Sequence, residues 1–463
     1  MTTLRTRPPS AQSVTPVSWV RERLFPNVAS GVVTLLLLPI MVYAGYRTFL
    51  FLVINGRWEV VSRNLTLFMQ GTFPRGEQWR IVVQMLLMAF AIGIGTSTAT
   101  AAAADRAREA GLPVVTQSPL QIARRFWPLI LFILVLLYFA GAINPWLLVL
   151  ASLATLLVGV AARFLPSSLR NLGWILAALS VLAGFQVVSG TTGRSWVATA
   201  IVVVIGVWAT VRLENLQPRP RLVSKVAISV LATAVVFAIY TFITVPGVGW
   251  DEWSGLHLTL WVSALAIILS FPLGLLLALA RRSSLPALRM LSTGYIELIR
   301  GVPLITLLFM GQYILGFMLP AGTDPSSISR AIAAMTLFTA AYVAEIVRGG
   351  LQSLPYGQIE AGQALGLSPA KSMRLIILPQ ALRAVIPAMV GQFISIFKDS
   401  SLLYILAINE FLGVRSLVHA QADFRSVAHA ETLVFVAFGY WAFAYAMSRE
   451  SQRLERRLRV SST

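Results

Sequence analysis

The sequence contains no cysteine and few charged side chains. Without cysteine, the chain has no disulfide framework and no thiolate metal site. Only 12% of its 463 residues are charged, against about 25% in soluble proteins, whereas 57% are hydrophobic. Several apolar runs approach the roughly 20 residues that a helix needs to cross a bilayer. The composition argues against a soluble domain and predicts a polytopic membrane protein in contact with a lipid bilayer.

Histidine is also scarce, and acidic residues are outnumbered by basic ones. The three histidines, His257, His419 and His429, have no clustered carboxylates beside them, so no metal site is expected. A net charge of +19 is typical of basic cytoplasmic loops in a membrane protein, and nucleic acid is not expected as a partner. The basic, Pro- and Ser-rich start lacks the apolar core of a cleaved signal, so residues 1–27 are predicted to be a cytoplasmic tail.

Apolar runs predict an all-α fold with about twelve transmembrane helices. About seven fall in an N-terminal region, 28–247, and about five in a second region, 248–450, before a basic tail at 451–463. The boundary is placed at the turn-rich linker VPGVGWDEWSG. The expected spans are about 28–52, 80–104, 128–143, 146–163, 171–188, 196–212, 226–245, 256–280, 295–319, 328–348, 384–407 and 431–448.

Charge and amphipathicity indicate how these spans are oriented. With the N-terminus inside and the spans alternating, most of the 37 basic residues fall on the cytoplasmic side, which predicts that both termini are cytoplasmic. An outer segment at about 55–79 sets Leu65 and Phe68 against Arg63 and Gln70. A helix lying on the outer membrane surface is the first interpretation of this segment, and docking against another protein is the second.

The stretch EAGQALGLSPAKSMRLIILPQ, residues 360–380, is polar although it lies between two membrane-length runs. Gly366 is expected to end a first helix in a left-handed conformation. Ser368 and Pro369 are expected to begin a second helix, which Pro379 halts or kinks. We therefore predict two short helices at the cytoplasmic face. An ordinary long loop is one interpretation, and a docking surface for a cytoplasmic partner is the other.

This stretch resembles the EAA loop of ABC-importer permeases, which has Glu-Ala-Ala, a glycine four positions on, and an apolar pair before Leu-Pro. Gly362 replaces the second alanine of that pattern. Residues 250–450 are similar to the polar amino acid permease group, through GLHLTLWVSALAIILSFPLGLLLALARRS, YIELIRGVPLITLLF, AYVAEIVRGGLQSLPYGQIEAGQALGL and FKDSSLLYIL. The longer chain resembles the general L-amino-acid transporter permeases. The residues that match the EAA loop are Glu360, Ala361, Gly366, Ile376, Leu378 and Pro379.

The resemblance implies a permease subunit of a binding-protein-dependent ABC importer for amino acids in a bacterial inner membrane. It implies a type I ABC-importer permease core of five helices, with a coupling loop at about 353–380, preceded by about seven further spans. The implied partners are cytoplasmic ABC ATPase subunits that use ATP and Mg, a second related permease forming a heterodimer, and a periplasmic or extracellular amino-acid-binding protein. The residues implied in ATPase coupling are Glu360, Ala361, Gly362, Gly366, Leu378 and Pro379.

The lysines agree with a separate energy source. A phosphate-binding loop needs Gly-Lys-Ser/Thr, and none of Lys225, Lys371 and Lys398 follows a glycine. The chain is therefore expected to bind no cofactor and not to be an enzyme. An ion-coupled secondary transporter of small polar solutes is the alternative, but it predicts paired inverted repeats, which we do not find in the sequence.

Ionisable residues inside apolar runs are costly and usually face a cavity or each other. A lysine, an acid and hydroxyls at 398–401 can bind both ends of a zwitterionic amino acid, and a structural pair of the lysine and the acid is the alternative. Two acid–arginine pairs at i, i+3 spacing can also pair on one helix face, with structural ion pairs as the alternative. The first of these pairs precedes Val302-Pro303, which is expected to break its helix. The candidate path residues are Lys398, Asp399, Ser400, Ser401, Glu297, Arg300, Glu345 and Arg348.

Overall fold

A computed structural model describes residues 23–109, 248–320, 325–425 and 427–460, with isolated positions elsewhere. Within these ranges the regular elements are helices, and six of them are long and apolar enough to cross a membrane, or up to seven if one bent pair forms a span. The predicted all-α, polytopic membrane fold is confirmed for these ranges. Expected spans outside the described residues, apart from isolated positions, are 128–143, 146–163, 171–188, 196–212 and 226–245.

The described helices are numbered here in chain order. They are α1 Val28–Phe49, α2 Glu59–Arg63, α3 Leu65–Gln70, α4 Gln78–Glu109, α5 Gly255–Arg281, α6 Pro286–Gly301, α7 Leu304–Tyr313, α8 Leu315–Met318, α9 Ser327–Gln352, α10 Gly357–Ala364, α11 Pro369–Ser372, α12 Leu378–Asp399, α13 Val414–Ala420 and α14 His429–Val460. The chain divides into two compact units, Met1–Trp58 and Glu59–Thr463.

The first unit is dominated by α1. The side chain of Asn27 accepts a hydrogen bond from the Ser30 N–H at 2.8 Å and so caps the helix. A π-helical stretch, Leu50–Asn55, extends it to a helical segment of 28 residues, long enough to cross a membrane. Its sequence is strongly apolar and includes four consecutive leucines at 35–38.

The second unit begins with the amphipathic segment formed by α2 and α3. Val60, Val61 and Phe68 are fully buried. The Phe68 ring packs edge-on against Phe435 of α14, with 5.1 Å between centroids, and against Phe411 at 6.3 Å. The buried apolar side chains of this segment thus pack on residues of the same chain, and its placement on the outer side of the membrane stays a prediction. Aromatic partners supplied by distant residues could not be read from the segment itself.

The centre of the second unit is formed by α5, α9, α12 and α14, which correspond to the expected spans 256–280, 328–348, 384–407 and 431–448. Small residues bring the helices together. A Cβ at Gly274 of α5 would lie 2.5 Å from Val343 of α9, and one at Gly350 would lie 2.4 Å from Val385 of α12. Close helix approach of this kind is how packing replaces the hydrophobic effect inside a membrane.

The expected span at 295–319 is the one that differs most from the structure. It is divided between α6, α7 and α8, and the axes of α6 and α7 differ by 105°. Val302 has an extended backbone, φ −106° and ψ 136°, as a residue before proline prefers. The predicted break at Val302-Pro303 is confirmed, and α6 and α7 form a sharply bent pair and not one straight helix.

Candidate functional site

The polar stretch that resembles the EAA loop begins with α10. The chain leaves this helix through Gly366, whose φ of +71° is the left-handed conformation that glycine adopts without strain. The Gly366 N–H donates to the Gln363 carbonyl at 2.9 Å, and the Leu367 N–H donates to the Gly362 carbonyl at 3.0 Å. These two bonds form a complete Schellman motif. The predicted glycine stop is confirmed.

The second helix begins as the sequence predicts but does not end where expected. The side chain of Ser368 accepts a hydrogen bond from the Lys371 N–H and caps α11. The helix then passes through a π-helical stretch, Met373–Ile377, directly into α12, so Pro369–Leu406 is one helical segment of 38 residues. Pro379 lies in the first turn of α12, and the Leu378 N–H donates to the Met373 carbonyl in π register. The expected halt at Pro379 is wrong, because the wider π turn accommodates a residue without an N–H.

The residues of α10 divide between an exposed surface and one buried contact. Glu360 and Ala361 are exposed, and Leu365, the residue that caps the helix, is 76% exposed. The Glu360 carboxylate has no hydrogen-bond or ion-pair partner among the described residues. Gly362 is buried against Ser372 of α11. The short helix α10 thus exposes an acidic side chain on one face and packs through Gly362 against α11 on the other. We name α10, α11 and the turn between them the elbow.

The two predicted acid–arginine pairs are arranged differently from each other. Glu345 and Arg348 pair within α9, with two guanidinium nitrogens at 2.8 and 3.0 Å from the carboxylate oxygens. Arg300 of α6 also contacts Glu345, at 3.5 Å, and its guanidinium lies over the Tyr342 ring. The expected Glu297–Arg300 pairing on one helix face is wrong, because each finds its partner on another helix.

Arg281, at the end of α5, was missed as a site residue and completes this charged cluster. It donates to Glu297 of α6 at 2.9 Å and to Glu345 of α9. Two carboxylates and three guanidiniums thus join three helices. Glu345, whose side chain is 14% exposed, accepts hydrogen bonds from Arg281 and Arg348, forms an ion pair with Arg300 and is the centre of the cluster. The only sequence signal for Arg281 was its position at the end of an apolar run.

The four residues at 398–401 lie at the junction of α12 and a 3-10 stretch, Ser400–Leu406. Lys398 is exposed, whereas Asp399 is half-buried and accepts a hydrogen bond from Ser395 at 3.4 Å. Among the described residues Lys398 has no ion-pair partner, so it does not pair with Asp399. Ser400 is fully buried and Ser401 is half-buried.

Glu410, in the connection between the 3-10 stretch and α14, was not identified from sequence. It is fully buried, and its carboxylate accepts hydrogen bonds from the N–H groups of Leu412 and Gly413 at 2.8 and 2.7 Å. The Tyr440 hydroxyl of α14 donates to it at 2.7 Å and Thr259 of α5 at 3.4 Å. Burial raises the pKa of the Glu410 carboxyl to about 7. A lone acid in ILAINEFLGV was the one signal available.

Tyr440 links this buried carboxylate to the 398–401 cluster. Its hydroxyl lies 3.4 Å from Ser400 Oγ, and its ring is 5.4 Å from the Phe397 ring. On the other side of Glu410, the Gly255 N–H donates to the Asn409 carbonyl at 2.8 Å. The network thus ties the start of α5, the 407–413 turn and α14 to the end of α12.

The described part of the second unit is a bundle of apolar helices with an exposed polar segment, the elbow, beside two of its candidate membrane spans. Residues 270–460 match the family described as "Binding-protein-dependent transport system inner membrane component". The chain is 37% identical over 203 residues to the probable glutamine ABC transporter permease protein GlnP of Bacillus subtilis, covering 44% of this chain and 91% of that protein. The chain belongs to this family of transport-system permeases.

Two further relatives are longer proteins. The glutamate/glutamine/aspartate/asparagine transport system permease protein BztC of Rhodobacter capsulatus is 44% identical over 218 residues, which cover 47% of this chain and 50% of BztC. The inner membrane amino-acid ABC transporter permease protein YhdY of Escherichia coli is 45% identical over 213 residues, which cover 46% of this chain and 58% of YhdY. The match therefore spans about half the length of these two relatives.

Proposed function

We propose that this chain is the transmembrane permease subunit of a binding-protein-dependent ABC importer that carries amino acids into the cytoplasm. The observation that carries the proposal is the elbow, an ordered and exposed surface between two apolar helices in a chain of the permease family. Relatives named for transport of glutamate, glutamine, aspartate and asparagine support polar amino acids as substrates. Amino-acid import also gives the charged and hydroxyl groups at 398–401 a ligand with both a carboxylate and an ammonium group.

The partners follow from what the sequence lacks. A chain without a Gly-Lys-Ser/Thr loop that is driven by ATP depends on a separate ATPase that uses ATP and Mg. The exposure of Glu360 on the elbow supports its assignment to the contact with that ATPase. A second related permease completes a heterodimer, and an outer binding protein delivers the substrate. ATP binding and hydrolysis then shift the permease pair between outward- and inward-open states. This shift requires that the ATP-bound and ATP-free forms of the ATPase bind the two permease states with different affinities.

The proposed membrane arrangement retains the sequence-based plan. The protein lies in a bacterial inner membrane with both termini cytoplasmic, and about seven spans precede a core of about five. Residues 28–247 and 248–450 are the two corresponding regions. On this plan the elbow and the Arg281 end of α5 are cytoplasmic, whereas the 407–413 turn is on the outer side.

Uptake into sealed vesicles tests the proposal directly. The complex, purified with its native partners, is placed in proteoliposomes with its binding protein outside, and uptake of labelled glutamate and glutamine is measured. Uptake is expected to require ATP and Mg on the elbow side of the membrane and to persist with an ionophore present. Uptake that needs no ATP and collapses with the ionophore would instead establish the ion-coupled alternative.

A further inference from the structure

We propose that Ser372 is a positioning residue that fixes the angle of α10, so that the elbow and the Pro369–Leu406 segment move as one rigid lever. The inference rests on the proposed function, because the lever matters only if a partner pushes on the elbow. The steric contact between Gly362 and Ser372 is a property of the structure and does not depend on what the protein transports.

The contact between Gly362 and Ser372 leaves no room for a side chain on α10. A Cβ built at Gly362 would lie 2.1 Å from Ser372 Oγ and 3.3 Å from Ser372 Cβ. Both residues are buried, although most of their neighbours in the elbow are exposed. Glycine at this position thus lets two short elements touch backbone to side chain. This assigns a physical role to the residue that departs from the Glu-Ala-Ala pattern.

The Ser372 hydroxyl is held there by shape and not by hydrogen bonding. Its Oγ is buried, and it has no hydrogen-bond partner among the described residues. Burying a hydroxyl group without a hydrogen-bond partner costs free energy. The contact between Gly362 and Ser372 is therefore not explained by hydrogen bonding of the serine. What the position requires is a side chain small enough for α10 to close onto α11. The joint is therefore a steric one, and its geometry is set by the sizes of two residues.

A second contact restrains α10 near its other end. The Gln380 amide of α12 lies 3.3 Å from Gln358 Oε1 and also donates to the Ile376 carbonyl at 2.9 Å. With the Schellman turn at Gly366, α10 is held at its start, its middle and its end. A force applied at the exposed face of α10 therefore acts on a helix that is tethered at three positions. It is transmitted to the helical segment that continues to the 398–401 cluster.

Exchanging the sizes of the two residues tests the joint. In the reconstituted complex, Gly362→Ala is expected to lower uptake per ATP hydrolysed about fivefold, and Gly362→Ala with Ser372→Gly to restore it to within about twofold of wild type, since the exchange removes the clash. Ser372→Thr adds bulk from the other side and is the milder variant, with a two- to threefold loss expected. Gly294→Ala, in α6 and outside the elbow, is the control, because a Cβ there meets nothing within 4 Å.

A distance measurement tests the contact between Gly362 and Ser372 independently of transport. Spin labels at Leu365→Cys and Ala384→Cys are the only thiol labels in a chain without cysteine, and both sites are exposed. We expect one narrow distance distribution in wild type, a shifted or broadened one with Gly362→Ala or Ser372→Thr, and recovery in the exchange variant. Distances unchanged by both substitutions would overturn the inference, as would wild-type coupling with Gly362→Ala. Distances that behave as expected without any ATP-driven uptake would retain the joint and refute the proposed function.

Discussion

Glu360→Lys is expected to separate ATP hydrolysis from uptake, lowering uptake tenfold or more while the complex stays assembled. The carboxylate is exposed in the first turn of α10, where it has no partner among the described residues and where the helix dipole favours an acid. Replacing Glu360 therefore breaks no hydrogen bond or ion pair within the described part of the chain. A tenfold change in binding affinity corresponds to about 1.4 kcal/mol. Disrupting a buried, hydrogen-bonded charge at an interface costs more than that. Uptake and ATP hydrolysis are measured on the same proteoliposomes, with co-purified ATPase quantified for each variant.

The matched control for this charge reversal is Glu252→Lys. Glu252 is exposed in the linker before α5, so the substitution makes the same change in charge away from the elbow. It is expected to leave uptake per ATP unchanged. Glu360→Gln, which removes the charge without reversing it, is expected to fall between wild type and the lysine variant. Coupled uptake at the wild-type rate in Glu360→Lys would remove this residue from the coupling surface.

Glu410→Ala is expected to have the largest effect on stability. It would leave two backbone N–H groups and the Tyr440 hydroxyl without their acceptor in a buried site. Each unsatisfied buried group costs about 1–3 kcal/mol, so a drop in apparent melting temperature on the order of 5–10 °C is expected in detergent. Glu410→Gln retains one acceptor oxygen in nearly the same shape and should lose about half as much. An alanine variant that melts like wild type would show that the network contributes nothing.

The acidity of Glu410 gives this prediction a pH dependence. Its pKa is raised from an ordinary 4.5 to about 7, so the folded state holds the proton more tightly than the unfolded chain. The stabilisation is therefore fully present below about pH 4.5 and is lost as the pH rises through about 7. Since glutamine does not titrate, the advantage of wild type over Glu410→Gln should grow as the pH falls from 8 to 5.

The features that could be predicted from the sequence are those set by local chemistry. A glycine with positive φ ends α10, and a serine followed by proline begins α11, because a few consecutive residues determine each conformation. Pro379 shows the limit of this reasoning. Proline removes one backbone hydrogen bond of an α-helix. The helix nevertheless continues through Pro379, because one turn before it adopts π-helical hydrogen bonding. The local sequence does not indicate this π turn.

Contacts between distant residues could not be predicted in the same way. The i, i+3 rule brings Glu345 and Arg348 together because both lie on one helix. It fails for Glu297, whose partner Arg281 lies 16 residues away on another helix. Glu410 depends on Tyr440 and Thr259, which are 30 and 151 residues away. Such networks form only when helices pack, so a single sequence carries the residue types without their pairing.

Cross-linking from the elbow tests most directly whether it receives the ATPase. Since the chain has no cysteine, Leu365→Cys places one reactive thiol on the elbow, and Glu252→Cys places one in the linker before α5 as a control. The native complex is treated with a short thiol-to-amine cross-linker, and the products are identified by mass spectrometry. We expect the elbow thiol to join the nucleotide-binding subunit, with a yield that changes when ATP is added, and the linker thiol not to join it. An elbow thiol that never reaches a nucleotide-binding subunit in an intact, transporting complex would contradict the assignment.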